Sequence, residues 1–320
     1  MRGMWVIYRK ELADHFSSNR FVILFALITM VSLITTFMVG TSLKKELEGI
    51  ARPSLVFMML FTSTGDLFSL AQFIAFFGPL IGLVLGFDAI NRERINGTLS
   101  KLAAQPIYRD AIINGKFMAG VVTIKIMLLS IVLLISGLGL FTLGVTPGPE
   151  EVGRVLIYLV ISIFYISFWL GVAILFSIFF RNIATSALAA IALWIFFSFF
   201  VTFGASLAAN ALVPIDQNQG ADAERLFAHA QVQKAVSLLS PMKLYSDATS
   251  TILDPMRKTT RSLILIGPME RVSMDRFNRP LPLGQSILVV FPYIVFLILI
   301  TLICFAISYL AFMRQEIRSG

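Results

Sequence analysis

The chain has 320 residues, a formal net charge of +8 and 57% hydrophobic side chains. Only 14% of its residues are charged, against about 25% in a soluble domain, and mean hydropathy is +0.85. These values exclude a water-soluble globule and place the chain in a bilayer, where surplus Lys and Arg belong to cytoplasmic loops. A nucleic-acid partner is not expected, since no basic patch is interleaved with exposed aromatics.

Residues 1–20 carry Trp5, Tyr8, Leu12 and Phe16 at helical spacing, with Lys10, Asp14 and Ser17 off that stripe. The pattern predicts an amphipathic helix lying in the membrane interface. Glu11 belongs to its YRKEL run and His15 is a polar flank. A spanning helix needs about 20 mainly apolar residues. Six runs qualify: 21–39, 67–87, 117–143, 156–180, 184–207 and 286–312. The first is not expected to be a cleaved signal, because mixed charge precedes it and a poor cleavage site follows. The expected fold class is therefore an all-α polytopic membrane protein. Spans one to five fall within 21–207, and the sixth span with its tail within 286–320.

Basic residues set the expected orientation. Arg2, Arg9, Lys10 and Arg20 precede span one; Arg92, Arg94, Lys101, Arg109 and Lys116 lie between spans two and three. Arg181 sits in the tight hairpin of spans four and five, and Arg314 and Arg318 follow span six. Spans one and two are separated by Lys44, Lys45 and Arg52, and spans three and four by Arg154 alone. The alternation predicts both termini, and residues 88–116, on the cytoplasmic face of the cell membrane.

Within the spans, Gly78, Gly82 and Gly86 recur every four residues. Such a small-residue face lets a second helix approach closely, either within this chain or from another copy. Pro79 and Pro292 are expected to kink their helices. Lys125 lies two to three turns into span three, as a functional intramembrane charge or as a side chain snorkelling to the interface. The IFFSFF run of span five is read as lipid contact or as an aromatic substrate surface. Residues 208–285 turn polar but keep apolar spacing at Leu226, Ala230, Ala235 and Leu238. They predict a small external segment of short helices.

Several chemistries find no support. There is no GxxxxGK[ST] loop for ATP phosphates and no HExxH. The EEVGR run at Glu150 brings two carboxylates together, but in an outer loop without the desolvated pocket that catalysis needs. His229 has no second metal ligand at useful spacing. The thirteen methionines are scattered. The single cysteine, Cys304, excludes an intrachain disulfide. No enzyme activity, cofactor or metal is expected in this chain.

The stretch NRERINGTLSKLAAQPIYRDAIINGK interrupts the apolar runs with charges. Gly97 can stop one helix and Thr98 can cap the next, whose Leu99 and Leu102 share a side before Pro106 ends it. A short helix between two rigid spans suits a cleft on a cytoplasmic partner, or it rests on the membrane as an amphipathic loop. Here the sequence resembles the type-2 ABC exporter permeases. The matching positions are Glu93, Gly97, Thr98, Leu99, Leu102, Pro106, Arg109, Gly115 and Lys116. The amphipathic start, six spans and tight fourth hairpin fit as well. The nearest subfamily contains the membrane subunit of the nitrous-oxide-reductase maturation transporter, although here the segment before span six is longer and the acidic residue lies farther from Gly-Thr. The resemblance implies a homodimer of permease chains driven by two cytoplasmic ATPase subunits, which would bind the ATP and magnesium. It implies a coupling helix at 98–105 seated on the ATPase, with Glu93 and Arg109 as flanking contacts, and an exporter with a possible external accessory protein. An ATP-independent secondary transporter and a membrane scaffold or signalling subunit are the alternatives.

Overall fold

The computed structural model describes residues 2–46, 55–62, 69–99, 108–144, 146–214, 223–254 and 280–315. Among them every regular element is helical. Helix α1 (Arg2–Ser17) leads into α2 (Asn19–Glu46). A short 3-10 turn, Val56–Leu60, precedes α3 (Leu70–Gly86) and the one-turn α4 (Asn91–Ile95). Then come α5 (Arg109–Leu143), α6 (Pro149–Phe179) and α7 (Ile183–Leu212). Helices α8 (Ala223–Ser237) and α9 (Pro241–Leu253) precede α10 (Leu283–Arg314). Six of these helices are long and apolar enough to cross a membrane, in agreement with the six runs read from the sequence.

Local chemistry sets the helix ends. At the start of α3, Ser69 Oγ accepts from Gln72 N at 3.0 Å and Gln72 Oε1 accepts from Ser69 N at 3.0 Å. These are the two reciprocal bonds of a capping box. Gly144, at φ 64°, closes α5 in the left-handed conformation that glycine adopts without penalty. Pro149 occupies the first turn of α6, where its missing N–H costs nothing. Helix α5 begins eight residues before the apolar run read as span three. Its 35 residues extend about 52 Å, well beyond a hydrocarbon core of about 30 Å. The surplus turns lie under α1.

Helix α6 is the central pillar. In its most apolar window 67% of residues are buried, against 17% for α7 and 22% each for α2 and α10. It packs on α3, α5, α7, α9 and α10, while α2, α7 and α10 turn wide apolar faces outward. The glycine face of α3 is turned to α6 within the same chain. A Cβ on Gly82 would lie 2.6 Å from the Ile166 carbonyl oxygen, and one on Gly86 would lie 2.7 Å from Ala173 Cβ.

Two irregular helices are repaired by neighbouring side chains. Pro79 has no N–H for the carbonyl four residues back, and Tyr165 Oη donates to that carbonyl, Ala75 O, at 2.7 Å. Residues Phe196–Phe200 of α7 form a π turn, and Ser240 Oγ donates to Phe197 O at 2.8 Å. Inside a bilayer such freed carbonyls need a protein partner.

Within residues 208–285, the described helices α8 and α9 differ in how they pack. Helix α9 inserts among α3, α6 and α10, burying Leu244, Tyr245, Ala248 and Ile252, and its Tyr245 ring stacks on Tyr165 at 4.3 Å. Of the apolar positions read from the sequence in α8, only Ala230 is buried and Ala235 is exposed. The stronger apolar stripe lay one helix later, interrupted by Lys243, Asp247 and Thr251 and therefore read as surface. Asp247 is buried because Lys243 Nζ meets it at 2.9 Å.

Candidate functional site

At the end of the bundle occupied by α1, four segments meet on a knot of charge. Helix α1 lies along the first turns of α5. Gly115 makes this possible, since a Cβ there would sit 2.9 Å from Ile7 Cγ2 and 3.3 Å from Met4 O. One residue on, the buried Lys116 Nζ meets Glu11 Oε1 of α1 at 2.6 Å and Glu93 Oε1 of α4 at 3.5 Å. Lys10 Nζ reaches the same Glu93 oxygen at 2.9 Å, and Glu11 at 3.5 Å. Thr98 completes the knot by hydrogen-bonding both the Glu93 carboxylate and Glu93 O. Two lysines thus balance two carboxylates that are each 8% exposed. Buried charges persist where, as here, each is paired and hydrogen-bonded.

The surrounding polar contacts fasten the same segments. Ser177 Oγ of α6 accepts from the Ile90 and Asn91 amides, at 2.9 and 3.1 Å. Ser186 Oγ donates to Phe87 O at 2.8 Å. Arg20, at the start of α2, pairs with Asp88 at 3.1 Å and lies over the Phe87 ring. A cavity of about 560 Å³ opens beside the knot, lined by His15, Asp88, Arg92, Glu93 and Lys116 among others. Burial holds the His15 imidazole below its ordinary pKa, reinforced by Lys116 and opposed by Glu11 and Asp88. Burial would lower the Lys10 ammonium too, but the Glu93 hydrogen bond and the charges of Glu11, Glu93 and Asp14 together raise it.

The residues singled out from the sequence fall into three groups. Glu93, Thr98, Lys116, Lys10 and Glu11 come together directly in the knot. Gly97 ends α4 at φ 65°, but Thr98 turns back onto Glu93. Arg109 opens α5 and donates to Gln315 O at 3.0 Å rather than to the knot. Leu99, at 3% exposure, packs into the core of the chain. Leu102 and Pro106 lie outside the described residues.

On α1 two faces can be told apart. The buried side is Ile7 and Glu11, bordered by the half-buried Tyr8 and Leu12, whereas Trp5 and Phe16 are exposed. Trp5 packs edge-on to Tyr8 at 5.3 Å and Phe16 edge-on to Phe21 at 5.5 Å. Trp5 and Phe16 thus remain available to lipid while Ile7 and Glu11 grip α5. A carboxylate in an apolar stripe reads from sequence as an error of pattern; its partner lies 105 residues away. Ser177 and Gln315 carried no signal at all.

At the opposite end, the EEVGR residues are structural. Glu151 accepts from Phe57 N at 3.0 Å and Gly148 N at 2.8 Å. Arg154, fully buried, donates to Ile252 O at 2.8 Å and Ser286 Oγ at 3.2 Å, and pairs with Glu150 at 2.8 Å. His229 Nε2 lies 2.9 Å from Asn210 Oδ1. Among the described residues no group of three or more His, Cys, Asp or Glu is placed to hold a metal. Lys125 is exposed on α5.

Comparison with known proteins gives a consistent picture. The family described as "ABC-2 family transporter protein" matches residues 5–317. A protein of Stutzerimonas stutzeri described as "Probable ABC transporter permease protein NosY" is 32% identical over 117 residues, which is 37% of this chain and 38% of the relative. The protein of the same description from Pseudomonas aeruginosa is 32% identical over 118 residues, again 37% and 38%. The chain therefore spans about two-fifths (38%) of the length of these relatives in the matched stretch.

Proposed function

The chain belongs to the ABC-2 family of transporter proteins, and from that premise we propose that it is the membrane permease subunit of an ATP-driven transporter. A separate ATPase subunit docks at the α1 end, which faces the cytoplasm, and two ATPase copies serve a homodimer of this chain. Export is the direction the resemblance supports.

One observation carries this reading: the buried Lys116–Glu11–Glu93–Lys10 knot. It ties an interfacial helix, the segment following span two and the first turns of span three into one body. Coupling by rigid-body motion requires such a discrete, closely packed unit. Force applied at Thr98 reaches α5 through Glu93 and Lys116, and α6 through the Ile90 and Asn91 amides on Ser177. Residues 95–97 form the exposed tip beside it, with Ile95 61% exposed.

The test is Ile95→Cys in a Cys304→Ala background. A maleimide reagent should label it only from the cytoplasmic side, and a maleimide carrying a photoreactive benzophenone should, on illumination, join it to a co-expressed ATPase. Labelling from outside only, or no crosslink to any nucleotide-hydrolysing protein, overturns the proposal.

A further inference from the structure

We propose that the groove between the ends of α6 and α10 is a binding site for one anionic phospholipid, with its headgroup held by arginines and its acyl chains laid along α10. The groove is about 510 Å³ and opens sideways. Its apolar wall is Phe179, Ile178, Ile307 and Leu310, with Arg314 and Gln315 at the mouth. Phe179 is 60% exposed and Leu310 53%. On α10 the outward face continues upward through Ile303 and Leu299 at helical spacing, so the groove opens onto an unbroken apolar track.

The mouth is unusual in its charge. Gln315 is a hub. Its Oε1 accepts from Arg94 Nη2 at 2.6 Å, its carbonyl accepts from Arg109 Nη1 at 3.0 Å, and its Nε2 donates to Ile178 O at 3.1 Å. Burial holds the Arg94 guanidinium below its ordinary range, and the charge of Arg181 adds to this. Arg314 lines the groove mouth, Arg94 and Arg109 bond Gln315 there, and Arg181 follows the lining residue Phe179 by two positions. Among the described residues none of the four is within 4.0 Å of a carboxylate. The neighbouring lysine knot, by contrast, is fully balanced. Arginines without a carboxylate partner among the described residues, beside an apolar groove, match the composition of a phosphate diester carrying acyl chains. An acidic protein surface would use the arginines but leave the apolar track unfilled.

The site's chemistry is independent of the proposed orientation, whereas its leaflet rests on it. The test is native mass spectrometry of the full chain, purified in mild detergent and titrated with phosphatidylglycerol or phosphatidylcholine. One phosphatidylglycerol should bind in preference to phosphatidylcholine. Arg181→Gln/Arg314→Gln should weaken it about thirtyfold. Leu310→Trp, which fills the groove and keeps every charge, should weaken it as well. Equal binding of both lipids, or unchanged phosphatidylglycerol binding in both variants, overturns the proposal. So does an Arg181→Gln/Arg314→Gln protein that keeps its lipid but loses the ATPase. Binding in detergent together with outside-only labelling of Ile95→Cys would sink the orientation while leaving the lipid site standing.

Discussion

At the residue scale, two side chains decide how firmly α1 is held. Lys116 is the inner partner of two buried carboxylates, and removing one member of a buried pair strands the other. Lys116→Gln should cost about 3–5 kcal/mol and lower the thermal midpoint in detergent, and Glu11→Gln added to it should recover part of that loss. His15 carries a pH dependence. Its folded pKa is depressed below the ordinary 6.5, chiefly by burial. The unfolded chain therefore takes up the proton first, and stability falls as pH drops from 6.5 toward the folded value. Amide protection across α1, taken relative to the intrinsic exchange rate at each pH, should be lower at pH 5.5 than at 7.5, and His15→Gln should remove the share of that difference due to the imidazole. An unchanged pH difference in His15→Gln would assign it to other groups.

At the element scale, the α3–α6 contact brings two helix backbones into close approach. Gly82→Leu would drive a side chain into the Ile166 carbonyl and the Leu170 amide, which lie 2.6 and 2.8 Å from the position of a Cβ. Neither is a flexible side-chain tip that can swing aside. The variant should fail as a folded monomer, with loss of a discrete size-exclusion peak, rather than lose only subunit pairing. The sequence showed that Gly78, Gly82 and Gly86 form a close-contact face but could not choose the partner, because spacing carries no information about which helix lies opposite. Span existence was legible for all six helices, since length and apolarity suffice. Span ends were less so: polar residues 109–116 continue α5 because α1 covers them, a tertiary cause invisible to a hydropathy window. The insertion of α9 was missed for a similar reason, its charged pair Lys243 and Asp247 masking an otherwise apolar stripe.

At the scale of the whole molecule, the structure joins a lipid-facing shell of α2, α7 and α10 to an inner pillar, α6, and ends in one charged junction. The motif residues Glu93, Thr98 and Lys116 were visible in sequence as a family pattern. Their convergence with Glu11 was not, because the contact spans 105 positions. The junction has one arm that can be cut without unfolding the rest. The Lys10 side chain is 51% exposed and links α1 to Glu93, while Lys116 still stands 3.5 Å from the same carboxylate. Lys10→Gln should therefore change stability by no more than about 1 kcal/mol.

In the proposed mechanism α1 and the segment after span two move together when the ATPase closes. The most direct measurement is ATP hydrolysis by the reconstituted permease–ATPase complex in nanodiscs, comparing wild type, Lys10→Gln and Lys10→Arg. Permease-dependent stimulation should fall about fivefold in Lys10→Gln, the kinetic equivalent of about 1 kcal/mol, and return in Lys10→Arg. Wild-type stimulation in a folded Lys10→Gln complex would contradict that mechanism.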